Sequence, residues 1–251
     1  MTATSVRTRS RPWVRLPRPD RPTAVVWGTA AAAWLLLVAL AVLPSGGHAH
    51  HHGAAGSAGP GWWVIYPAMV VAMKWPLTAP AVSLVVRSSF RSRRVLHATI
   101  VLGVGTALWL AFGAALQLVA GTLGWTATPA WTVGWLGVGL AVTWLPRRAR
   151  VLWTCLRLPP LHPGGARGVR TAALAGWASW RRCAILCGPL MAAMVGPHAL
   201  AVMALATAAA WWEQWHARAA GDPVPRLLVA GALAAAALGG SGLFGAGGWL
   251  G

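Results

Sequence analysis

Apolar runs of membrane-spanning length recur along this chain, and its basic residues stand between them. A run of about 20 apolar residues is long enough to cross a bilayer as a helix, which satisfies its own backbone groups where no water can. Seven spans are expected, at about residues 23–43, 61–86, 95–119, 128–145, 174–197, 199–215 and 226–246. The expected fold is therefore an all-α, polytopic transmembrane helical bundle. Residues 1–22 read as a basic, proline-rich cytoplasmic tail, and residues 23–251 as a single transmembrane helical domain. The first apolar run begins near Thr23 and is long enough to span, so it reads as a helix rather than a cleavable leader.

The loops predict the orientation. Arg7, Arg9, Arg11, Arg15, Arg18 and Arg21 precede the first span; Arg87, Arg91, Arg93 and Arg94 follow the second. Six arginines lie in the loop expected over 146–170, and Arg218 and Arg226 flank the turn before the last span. Alternate loops carry no Lys or Arg, so the basic ones, and the N-terminus with them, are expected in the cytoplasm. Arg181 and Arg182 fit this pattern less well. They are expected to snorkel near the inner interface, or else the fifth helix begins later than drawn.

A formal charge of +18 ordinarily suggests nucleic acid, but here the cations alternate with apolar spans in a chain that is 57% hydrophobic. The lipid bilayer, not nucleic acid, is the expected partner. Asp20, Glu213 and Asp222 are the only acids, which leaves no carboxylate pair for acid–base catalysis. With no nucleotide-binding loop and no serine-hydrolase elbow either, an enzyme is not the favoured reading. Three cysteines do not make a disulfide framework. Trp62–Trp63 and Trp211–Trp212 suit interfacial belts.

One stripe carries chemistry. Cys183, Cys187, Met191, Met194 and His198 recur at steps of four, four, three and four. On one helix they would share a face about 80° wide. Thiolate, thioether and imidazole are ligands that soft metals prefer, Cu(I) above all. Met and Cys are also ordinary apolar fillers, so packing is the competing reading. Met69 and Met73, four apart on the second span, would complete a thioether site if they faced Met191. Pro189 and Pro197 are expected to kink the fifth helix.

Lys74 lies about thirteen residues into the second span, near the bilayer centre, where a cation needs a partner. Glu213 is expected at similar depth in the sixth span, and a Lys74–Glu213 ion pair is the favoured arrangement. The loop with His48, His50, His51 and His52 would capture a divalent ion weakly or serve as a solvated linker. Cys155 is a lone thiol in an inner loop, and His97, His162 and His216 read as interface residues.

Three segments together resemble a family. Ala68-Met69-Val70-Val71-Ala72-Met73-Lys74-Trp75-Pro76, Gly105 through Phe112, and the series Trp153-Thr154-Cys155-Leu156, Cys183 through Met191, Met203 and Glu213 follow its motif order. The chain resembles, over about 61–216, the bacterial predicted metal-binding integral membrane proteins (domain of unknown function family 2182). The resemblance implies a bacterial inner membrane protein that binds metal. It also marks departures: Lys74 and Ala81 stand where the pattern has Met, Leu186 and Leu158 where it has Cys, and His198 about where it has Met. Cys155, Cys183, Cys187, Met69, Met73 and Met203 remain.

Two functions follow as expectations. The first is binding or relay of Cu(I) or a similar soft metal ion, with His198 and Met194 outermost, Met191, Met69 and Met73 central, and Cys187, Cys183 and Cys155 innermost. The second is a structural or assembly role without metal, in which Lys74 and Glu213 fix helix packing. A thiol oxidoreductase is a weaker third, because two cysteines one helical turn apart have poor disulfide geometry.

Overall fold

A computed structural model describes residues 21–42, 62–123, 129–145, 158, 160–195, 200–215 and 223–240. Among these there are seven α-helices, one 3-10 turn and no strand. The helices are α1 (Arg21–Val42), α2 (Trp62–Ser88), α3 (Arg94–Thr122), α4 (Pro129–Thr143), α5 (Gly165–Ala193), α6 (Leu200–Trp215) and α7 (Val224–Gly240). The tail up to residue 20, the His48–His52 loop, Cys155, His198 and His216 lie outside the described residues.

Three helices, Arg21–Leu40, Trp62–Ser88 and Arg91–Thr122 (the last taken with the 3-10 turn), are long and apolar enough to cross a membrane. This is fewer than the seven expected. Ala130–Thr143, Leu200–Glu213 and Val224–Leu238 are apolar but shorter, each within 10–17 residues. The remaining helix, α5, is long enough but contains Arg167, Arg170, Arg181 and Arg182.

Its start is the main correction to the expected boundaries. The helix begins at Gly165, not near residue 174, so the last residues of the expected loop are helical. Pro163 and Gly164 do break the chain, but Gly165 at φ +67° then turns it into a helix at once. Arg167 and Arg170 extend from the exposed side of the first turns. The other end corrects the single-helix stripe: α5 stops at Ala193, and Met194 N–H donates to Met191 O in a tightened final turn.

Helix neighbours do not follow chain order throughout. α1 packs on α2, α2 on α3, α3 on α5, α5 on α4, α4 on α7 and α7 on α6. Trp27 of α1 meets Trp211 of α6 edge-on, with ring centroids 5.4 Å apart, which closes the series into a ring. Around this ring α3 and α5 are the parallel pair: His97 faces Gly168, Val101 faces Gly176 and Trp109 meets Trp180. Gly176 permits a close approach to the α3 backbone, since a Cβ there would fall 2.8 Å from Val101 O.

Apart from Arg181 and Arg182, the described arginines collect at one end of the bundle. Arg21 opens α1, Arg87 closes α2, Arg91, Arg93 and Arg94 open α3, and Arg226, at the start of α7, lies 4.3 Å from the Trp144 ring beyond α4. Phe90 N–H donates to Pro163 O at 3.0 Å, and the Phe90 ring covers Gly164, so the α2–α3 turn is fastened to the start of α5. His97, near the start of α3, is buried between helices. It is 1% exposed, and its Nδ1 lies 2.8 Å from Ser89 Oγ.

Candidate functional site

The middle of the bundle combines a sulfur-rich core with a polar cleft. All five methionines after the first residue, Met69, Met73, Met191, Met194 and Met203, are at most 2% exposed and belong to one buried cluster. They arrive from α2, the end of α5 and α6. On α2 and α5 the i to i+4 spacing sets Met69 over Met73 and Cys187 over Met191. On α6, Met203 enters the same cluster, and its carbonyl accepts from Thr207 Oγ1 at 2.7 Å. Thioether side chains adapt to irregular space, which suits helices interrupted by Pro67, Pro76, Pro80 and Pro189.

Cys183 lies against this cluster and against a smaller one formed by Leu186, Cys187 and Ala210. It thereby joins the methionine core to a cleft of about 90 Å³. Lys74, Thr78, Thr106, Ser179, Cys183, Cys187 and Glu213 supply the reactive or polar groups of its lining. Trp75, Trp109 and Trp180 contribute aromatic walls, and Trp75 Nε1 donates to Thr106 Oγ1 at 3.0 Å.

Lys74 is 2% exposed. Its Nζ lies 3.9 Å from Cys183 Sγ and 4.6 Å from the centroid of the Trp109 ring. The ring face attracts the ammonium, and the sulfur offers a polarisable acceptor that becomes a strong one as thiolate. Pro76 and Pro80 remove two helical donors just below Lys74, leaving the Ala72 and Pro76 carbonyls without their usual partners on α2. Glu213 lines the same cleft from α6. The two residues expected to form an ion pair are therefore brought to one cavity.

The sequence-derived metal stripe is divided by the fold. Cys183 and Cys187 line the cleft, whereas Met191 and Met194 point into the methionine cluster with Met69 and Met73. Among the described residues, no group of three His, Cys, Asp or Glu side chains has the arrangement to hold a metal ion. A soft ion would therefore depend on thioethers for most of its donors.

Sequence reasoning missed Trp109 as a wall of the site and His97 as a buried group. Trp109 is legible in hindsight from its place in the Gly105–Phe112 segment. His97 carries no such signal, because its partner Ser89 lies across a turn. No family model, no curated protein and no solved structure matches this chain.

Proposed function

We propose that this protein is a multi-pass protein of the bacterial cytoplasmic membrane that binds or relays a soft metal ion, Cu(I) or one like it. All seven helices cross the bilayer in this reading, with the N-terminus inside. The observation that carries it is the single buried cluster of five methionines adjoining a two-cysteine cleft. Thioethers hold Cu(I) without a protonation step and discriminate against hard cations. Met69, Met73, Met191, Met194 and Met203 would carry the ion through the centre, and Cys183 and Cys187 would receive it at the cleft.

The donor set fits at the methionines and conflicts at the cysteines. An ammonium 3.9 Å from Cys183 Sγ repels a metal cation at that sulfur. Transfer to the cysteines then requires Lys74 to turn away from Cys183, within a cleft that Glu213 also lines. The α2, α3, α5 and α6 segments that resemble the metal-binding family supply this cleft and cluster together, which supports a divergent member of that family.

Lys74 also favours a second reading, a structural membrane protein in which the ammonium has taken the place of a metal. Chelator competition with Cu(I) separates the two. The first expects about one ion per chain, with affinity lost in a Met69→Leu, Met73→Leu, Met191→Leu triple variant that stays folded. No binding by the wild-type protein would leave the structural reading.

A further inference from the structure

The outward side of α5 presents a feature that the cleft does not use. Arg170, Leu174, Trp177, Arg181 and Ile185 recur at steps of four, three, four and four, so they line one side of the helix. All five are exposed, with Leu174 at 45%, Trp177 at 44% and Ile185 at 57%. Arg181 lies about 160° around the helix from Cys183, facing away from the cleft.

Its depth is what matters. Gly168 faces His97 at the arginine-rich end, and Arg181 is thirteen residues further along α5. At about 1.5 Å per residue this is about 20 Å into the bundle. The neighbouring Trp180 meets Trp109, over whose ring Lys74 Nζ sits, so Arg181 is level with Lys74. An exposed guanidinium half-way through a bilayer is among the most costly placements a side chain can take.

This chain has little with which to neutralise it. Among the described residues the one carboxylate is Glu213, which lines the cleft on the other side, and none meets Arg181. In the sequence, Asp20 directly precedes α1 and Asp222 lies two residues before α7. Among its described residues, a second copy therefore offers no carboxylate at the required depth on its outer surface.

We infer that this face of α5 docks a transmembrane helix of another protein that carries an Asp or Glu at mid-span. The carboxylate pairs with Arg181, a geometry that guanidinium can make bidentate. Leu174, Trp177 and Ile185 supply apolar contact on either side. The inference rests on the membrane-spanning reading given above, and a single buried pair would fix the depth and register of the two helices.

The test uses the full chain in phosphatidylcholine vesicles with a labelled host helix of Leu and Ala bearing one central Asp, compared with the same helix bearing Asn. Energy transfer should report association of the Asp helix about three- to thirtyfold stronger. Arg181→Leu should abolish the preference, and Arg181→Lys, which keeps the charge, should retain it. Equal association of both helices, or a preference unchanged in Arg181→Leu, overturns the inference. A preference lost in Lys74→Met but kept in Arg181→Leu assigns the carboxylate to the cleft and also overturns it. Self-association of labelled copies abolished by Arg181→Leu makes the partner a second copy, contrary to the proposal. Release of the wild-type chain from vesicles by alkaline carbonate refutes the membrane reading itself, and the docking with it.

Discussion

The ammonium of Lys74 stands 3.9 Å from the sulfur of Cys183, from helices whose sequence positions are 109 residues apart. Both are core-facing and both line the cleft, so the charge on one governs what the other can hold. A second cation at that sulfur is repelled by the ammonium.

Lys74→Met should therefore raise Cu(I) affinity at the cleft. At an effective dielectric of about 20 and separations of about 4–8 Å, removing the like charge is worth about 2–4 kcal/mol. Chelator competition should show at least a tenfold gain, dependent on Cys183 and Cys187. Equal affinities for wild type and variant would place any bound ion away from Lys74.

Lys74 and Glu213 should be energetically coupled. In a double-mutant cycle of Lys74→Met and Glu213→Gln, each single change should destabilise, and the pair should recover about 1 kcal/mol or more of the summed loss. Unfolding by a denaturing detergent in mixed micelles gives the four values. Strict additivity would mean that Glu213 answers to a different group.

Gly176→Ala should weaken the bundle. The new Cβ would fall 2.8 Å from Val101 O, a backbone atom that cannot rotate aside. Overpacking of this kind costs about 1–3 kcal/mol. A variant as stable as wild type would show that α3 and α5 are further apart than described here.

Ser89→Ala should cost about 1–3 kcal/mol, because it strands the buried His97 Nδ1. His97 Nε2 already has no protein partner, so the imidazole would lose its remaining one. The same unfolding assay measures the loss, and a Ser89→Thr variant should retain most of the stability.

Orientation can be read by labelling single cysteines placed at Leu123 and at Arg93, in a chain whose own three cysteines are replaced. Leu123 closes α3 at the end without described arginines, and Arg93 opens it at the other. An impermeant thiol reagent should modify the first in intact cells and the second only after lysis. The reverse result would invert the N-inside arrangement.

The helical class and the charge segregation were legible because both are local properties: apolar run length, and the sign of short loops. The extents of α1 to α4 follow the apolar runs to within about three residues. The start of α5 was not legible, because Arg167 and Arg170 resemble loop residues unless one knows that they lie on an exposed face. The stripe from Cys183 to His198 reads as one helix, and periodicity alone could not show that Ala193 ends it or that its cysteines line the cleft while Met191 and Met194 sit in the packed core. Lys74 and Glu213 were placed at one depth from rise per residue. The approach of Lys74 to Cys183 and Trp109 depends on which helices are neighbours, which no single-chain pattern reports.

The pairing of α3 with α5 rather than α4 has a consequence in time. When Thr122 has been made, the side of α3 that meets Gly176 and Trp180 lacks its α5 partner until Ala193 has followed, 71 residues later. At about 5–20 residues per second this leaves α2 and α3 half-assembled for about 4–14 s. During that interval the Phe90 fastening to Pro163 does not exist and Lys74 has not met Cys183. Lys74 therefore gains its contacts in two steps, the Trp109 ring with α3 and the Cys183 sulfur only with α5.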